Sequence, residues 1–399
     1  MIKNDNPLKT RYEDEFPELK SGRMNIYQLF FGIGESLLTK NGILVYIHPK
    51  TLFGDAYLAA TRKFLFEHFN STTLINIVAR RGVFDSVLQS VVVSIWGKGD
   101  LSQIRVANIF SRSDFEQLTY IDLTKEQLVL DSGKLLVSSD KTTYEIMAKI
   151  QAQDTIRANF RTGRLEWNKY KPHLSSTPNP NSLRLIFGEN VQRYEFVESK
   201  KRSDMSYITC KNLPKMERLS ILTQRTTAVE QPWRIIATLI DPRDYNFGLT
   251  TENHVNVFEV ENRILAEYFL GILQSRFIDF YFRLLNSNTQ VSSGELNTLP
   301  IPNATSSIQS MIACLVEKIL REKQQNAFAD TQALEKEVDN IVYQLYGLSP
   351  EEIDFIEHYH DKPAEEPEEK PKNSSKPKST KAKPTPTSSP TSDDDNYLE

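Results

Sequence analysis

The sequence predicts an α/β half-sheet followed by an α+β region, a helical segment and a disordered tail. Three observations carry this. Residues 24–97 alternate between helical and extended patterns in the order helix, strand, helix, strand, strand. From about 126, and clearly from 151, short strands, Pro and Asn clusters and basic residues replace that alternation. Helical periodicity returns after 304 and stops before 361. The expected divisions are therefore 1–125, 126–303, 304–360 and 361–399. At 399 residues the chain has room for more than one domain, on a prior of roughly 150 residues each.

Each element has its own signal. Asn25 to Thr39 places Ile26, Leu29, Phe30, Ile33, Leu37 and Leu38 at helical spacing, which predicts a helix with one buried face. Gly42 follows as a candidate for the left-handed position past a helix end. Ile43 to Ile47 is a short apolar run and reads as a buried strand. Ala56 to Phe69 is helical. Leu74 to Val78 and Ser90 to Trp96 are extended, and so short a connection favours an antiparallel pair. A strand or two precede a helix starting near Thr142. Glu261 to Arg283 reads as one long helix, and Ile308 to Lys323 and Thr331 to Tyr346 as two more. Gly347 caps the last of these. Ser349, Pro350, Glu351 and Glu352 form the start of a final helix. From 361 the chain has almost nothing apolar to bury and cannot offset its ordering entropy, so a solvated tail is expected.

Composition excludes several classes. Net charge is −4, which argues neither for nor against a nucleic-acid partner. Two cysteines, Cys210 and Cys314, lack metal-ligand spacing and fit a reducing compartment. No apolar run reaches the roughly 18 residues that span a bilayer, and the polar N-terminus is no signal peptide, so a cytoplasmic protein is expected. The six histidines are scattered, and no metal site is expected. No nuclease signature of the PD…(D/E)xK kind is present, so cleavage is not expected.

One string invites a cofactor reading. Phe30-Phe31-Gly32-Ile33-Gly34 spells F-x-G-x-G, a pattern used to hold S-adenosylmethionine. Such a loop must join a buried strand to a helix. Here helical periodicity runs on both sides, so Gly32 and Gly34 are expected to let a helix pack closely, at about 1 kcal/mol each relative to alanine.

Residues 151–225 hold fourteen lysines and arginines against seven aspartates and glutamates, with aromatics interleaved. Phosphate contact needs such a patch; a solvated basic face is the bland reading. For base reading, Arg suits guanine and Gln suits adenine. Arg193, Tyr194, Gln224, Arg225 and Arg234 are the candidate DNA-contacting residues.

The order of these strings resembles the second half of the catalytic domain of adenine-specific DNA methyltransferases, of the TaqI-like and fused type IIG restriction–modification kind. The strings are NIYQLF, NGILVYIHPKTLF and GVFDSVLQSVVVSIWGK. Further along, LRLIFGENVQRYEF (183–196), RLSILTQRTTAVEQPWRIIATLID (218–241) and AEYFLGILQSRFIDFYFRLLNSNTQVSSGELNTLPIP (266–302) resemble the TaqI-like specificity domain. Together they cover roughly residues 11–303. The resemblance implies an incomplete Rossmann-like sheet, a DNA target-recognition domain, and methyl transfer from S-adenosylmethionine to the adenine exocyclic amine. It implies that Phe84 stacks on a base rotated out of the duplex. It places an N-P-P-aromatic motif just before the NIYQLF helix. The nearest string, Asn6-Pro7-Leu8-Lys9, keeps Asn6 and Pro7 but lacks the second Pro and the aromatic. Two readings stand: a degenerate motif, or a coincidence in a chain that begins past the true one. Either way the family's cofactor strand and Gly loop are missing. The expectation is a part that acts with a separately encoded N-terminal half and does not hold S-adenosylmethionine alone. A catalytically inactive, sequence-specific DNA-binding module is the competing class, and an interaction or decoy protein the third.

Overall fold

A computed structural model describes residues 6–20, 24–77, 91–111, 113–199, 201–286 and 289–359. The first part runs α1 (Pro7–Glu15), α2 (Ile26–Leu37), β1 (Ile43–Pro49), α3 (Ala59–His68), β2 (Ser71–Ile77), β3 (Val91–Gly97), β4 (Ile104–Ile109) and β5 (Ile121–Leu123). The start of α2 is set by a polar exchange. The Asn25 N–H donates to Gln28 Oε1 at 2.6 Å, and Gln28 Nε2 reaches Thr61 Oγ1 of α3 at 2.8 Å. The cap of one helix thereby fixes its packing on the next.

The strands form one sheet in the order β1-β3-β2-β4-β5. β3 lies antiparallel between β1 and β2, so the expected β2–β3 pair is there, with Ser71 opposite Gly97 and Ile77 opposite Val91. β2 and β4 run parallel, and β5 closes that edge antiparallel. Phe31, Phe64, Leu65, Leu74, Val92, Trp96 and Val106 fill one core cluster between the helices and the sheet. β1 is the opposite edge and has no second strand partner among the described residues.

Several details depart from the sequence expectation. β1 is not a buried strand but a sheet edge, with Ile43, Val45 and Ile47 exposed, and of the apolar positions expected on the buried face of α2, Ile26, Phe30, Ile33 and Leu37 are exposed while Leu29 is buried. α2 ends at Leu37, and Gly42 makes a tight turn whose N–H donates to Thr39 O at 2.9 Å. Gly42 is not left-handed; among the described glycines only Gly133 and Gly347 have positive φ. It is needed for closeness, since a Cβ there would sit 2.9 Å from the Leu38 side chain. The expected single helix 261–283 is two helices. After α4 (Lys141–Gln151) come α5 (Arg263–Leu273) and α6 (Arg276–Leu285), separated by a break at Ser275. Ser275 is extended, and its hydroxyl caps α6 by accepting from Ile278 N–H. The apolar periodicity continues across the break and hides it.

The second part holds two small four-stranded sheets. In one, Ser220–Gln224 lies between Ala237–Ile240 and Val255–Glu259, and Arg161–Thr162 adds the edge. In the other, Leu183–Ile186 pairs with Gly248–Thr251 and with Tyr207–Ile208. Helices α7 (Ser306–Gln325), α8 (Gln332–Leu345) and α9 (Pro350–Glu357) share one core with α5 and α6. A Cβ on Gly271 of α5 would lie 2.6 Å from Ile312 Cγ2 and 3.0 Å from Val316 Cγ2, so glycine sets the α5–α7 spacing. Gly347 is left-handed at φ 62°, and Ser349 caps α9 through Glu352, as the sequence predicts. The two cores meet at residues 128–137: Leu128, Leu135 and Val137 belong to the first, Leu130 and Leu136 to the second. The tail from 361 lies outside the described residues.

Candidate nucleic-acid interface

The cofactor string does not form a loop. Gly32 and Gly34 both lie within α2. A Cβ on Gly32 would meet Phe16 at 2.6 Å and Leu19 at 3.0 Å, and one on Gly34 would meet Leu44 at 2.8 Å. Apolar side chains already fill the space that a cofactor loop leaves open. The two glycines serve helix packing, as expected, and this string does not fit S-adenosylmethionine. Asn6 and Pro7 form a helix start: the Asn6 carbonyl accepts from Lys9 N–H at 2.9 Å, and Pro7 opens α1, where its missing donor costs nothing. Phe84 falls in 78–90, outside the described residues.

The remaining candidates lie in the second part, and the fold turns their side chains inward. Arg193 donates through Nη1 to Gln274 Oε1 at 2.6 Å and to Gln274 O at 3.1 Å. Its Nη2 donates to the Glu335 carboxylate. The guanidinium lies 3.6 Å from the Trp233 ring centroid, with Arg276 on the same ring at 4.4 Å. These contacts clamp α8 to the α5–α6 break. Tyr194 is 2% exposed, adopts φ 57°, and donates its N–H to Ala237 O. Gln224 Nε2 donates to Val191 O at 2.7 Å, and Arg225 Nη1 to Asn253 O at 2.9 Å. Arg234 is fully buried; its Nε donates to Thr227 Oγ1 at 3.2 Å and its Nη2 to Asn286 Oδ1 at 3.1 Å. A base edge could reach Arg234 or Tyr194 only after the core had opened.

Other basic residues of the 151–225 stretch do face solvent, among them Arg157, Arg161, Arg164, Lys169, Lys211, Lys215 and Arg218. They belong to the basic patch of the sequence, where nothing in composition alone sets them apart from the inward arginines. The string Arg161-Thr162-Gly163-Arg164, two cations around a glycine, was the available signal.

Burial also explains the conspicuous histidine of the first part. His48 is 1% exposed, and its Nε2 lies 3.0 Å from Ser94 Oγ. Burial drives its pKa down to about 4, so the ring is neutral at pH 7 and acts as a core group.

The surface around β1 has a different character. Ile43, Val45 and Ile47 project from one face of the edge strand at 62%, 61% and 52% exposure. Ile26, Phe30 and Leu37 are exposed on α2, which packs against the other face. No helix among the described residues is long and apolar enough to cross a membrane.

Comparison with known proteins gives a consistent set of similarities. The model of the family described as Eco57I restriction-modification methylase matches residues 1–84. The Type II methyltransferase M.PstI of Providencia stuartii is 25% identical over 299 residues, 70% of this chain and 59% of that protein. The Type II methyltransferase M.BsuBI of Bacillus subtilis is 22% identical over 310 residues, with the same coverage of 70% and 59%. The chain thus spans 59% of the length of these two relatives. Among solved structures, the Type IIL restriction-modification enzyme MmeI in complex with DNA superposes with a TM-score of 0.57 at 11% identity, over 88% of this chain and 53% of that one. This chain therefore shares its fold with part of a restriction–modification enzyme, and over 70% of its length its sequence is similar to type II methyltransferases.

Proposed function

We propose that this chain is the DNA-recognising part of an adenine-specific DNA methyltransferase of a restriction–modification system. Its first part completes the catalytic sheet, and its second reads the target. Strands that pair with the β1 edge supply the S-adenosylmethionine site. The observation that carries the reading is the β1-β3-β2 order with β1 as an open, apolar edge. A strand with one side unpaired among the described residues, carrying exposed Ile43, Val45 and Ile47, is a liability in a lone molecule and an asset where further strands pair with it. The match of residues 1–84 to a methylase family and the similarity to two type II methyltransferases support the same reading. In this proposal Phe84 stacks on the extruded adenine, while the solvent-facing cations hold the backbone.

The filled space at Gly32 and Gly34 favours one further reading, a DNA-binding module without chemistry. One experiment separates the two. The polypeptide encoded upstream of the Met1 codon is co-expressed with this chain, and duplex DNA is assayed for N6-methyladenine. Methylation with both, and with neither alone, is the expected result. DNA binding with no methylation in any combination leaves the binding module as the function.

A further inference from the structure

A shallow cavity of about 140 Å³ opens where Arg161–Arg164, Pro214–Met216 and Thr250–Thr251 converge. We infer that this cavity seats one backbone phosphate of duplex DNA, which rests on the DNA-recognition reading above and gives it a specific contact. Three cations line it, Arg161, Arg164 and Lys215, against one carboxylate, Glu259. Glu259 is already engaged, since its Oε1 accepts from Arg161 Nη2 at 2.8 Å. Arg164 and Lys215 are solvent-facing and form no ion pair among the described residues, so the mouth carries uncompensated positive charge.

The lining adds a second, independent sign. Thr250 is 1% exposed, and its Oγ1 has no hydrogen-bond partner. A buried hydroxyl without a partner is costly and rare. Its hydroxyl can donate as well as accept, and Arg164 and Lys215, which line the same cavity, are donors only. What satisfies all three is an acceptor with several oxygens. Gly163 keeps the loop pressed against the strand end, where a Cβ would fall 2.1 Å from Glu252 O. A phosphodiester fits this donor set, and the shallow mouth leaves room for the chain on either side of it. Further exposed cations in the same stretch favour a polyanion over a free ion.

The test uses the full chain and duplex DNA, with affinity measured against salt. For Arg164→Ala combined with Lys215→Ala, the slope of log K against log salt should fall by about 0.9, with weaker binding to every sequence alike. Both residues face solvent, so the variant should fold like the parent, and its thermal midpoint checks that. Thr250→Val should weaken duplex binding roughly tenfold. Inorganic phosphate at matched ionic strength should compete weakly with duplex in the parent chain and not at all in the double variant. Parent-like affinity and slope in both variants overturn the assignment alone. Absence of duplex binding by the parent chain overturns the proposed function as well. Stabilisation by inorganic phosphate without duplex binding overturns the choice of DNA as the ligand.

Discussion

Arg193→Ala is expected to destabilise the protein rather than relax its sequence specificity. The guanidinium makes two hydrogen bonds to Gln274, one to the Glu335 carboxylate, and a stack on Trp233 at 3.6 Å. Its side chain is 17% exposed and that of Glu335 23%, so solvent screens the pair only in part. Truncation removes the charge-assisted bond and the stack and leaves Gln274, 2% exposed, without the donor to its Oε1 and its carbonyl oxygen. A cost of about 2–4 kcal/mol follows. Lysine restores the charge but neither the fork nor the stack, so Arg193→Lys should recover less than half. The chain has three tryptophans. With Trp96 and Trp167 replaced by Phe in parent and variants alike, Trp233 fluorescence reports directly on the clamp during urea unfolding. A parent-like urea midpoint for Arg193→Ala, together with lost discrimination between duplex sequences, would refute this reasoning and return Arg193 to base reading.

Three other outcomes follow from the geometry. Gly271→Val should cost about 1–3 kcal/mol by forcing α5 away from Ile312 and Val316, seen as a lower thermal midpoint. Val45→Lys should leave the isolated chain within about 0.5 kcal/mol of the parent, because the site is 61% exposed. It should nevertheless abolish co-purification with a cofactor-bearing half; unimpaired assembly would remove β1 as the joint. Burial pushes Asp339 up to about 7, against the opposing Arg276 N–H and the charges of Arg193 and Arg276. A folded pKa raised above the ordinary 3.8 means that the fold favours the protonated acid, so stability falls as pH rises from about 4 towards 7. Parent and Asp339→Asn should therefore unfold alike at pH 4, with the variant the more stable at pH 8; a constant gap between them would show that Asp339 does not titrate in the fold.

In the first hundred residues the elements are legible from local pattern, but their burial is not: Ile26, Phe30 and Leu37 of α2 and Ile43, Val45 and Ile47 of β1 are exposed. The apolar spacing of Ile26 to Leu37 gives α2, and the runs at Leu74 and Ser90 give strands that pair antiparallel as their short connection suggests. Gly32 and Gly34 could be read as packing residues because no strand feeds them. The break at Ser275 was not legible, since an N-cap serine inside an unbroken apolar period looks like any exposed helical residue. The inward arginines were illegible for another reason. Arg193 meets Glu335, 142 residues on, and Arg234 meets Asn286, 52 residues on. Charge count locates a basic segment, but only the three-dimensional partners say which cations are consumed inside it. Arg164 and Lys215 face solvent, and among the described residues the fold gives them no carboxylate partner.

The most direct test of the central claim is selection from a randomised duplex pool by the full chain, without S-adenosylmethionine, at low and moderate salt. Enrichment of one defined sequence is expected, with retention falling steeply as salt rises. Failure to retain any duplex at low salt would contradict it.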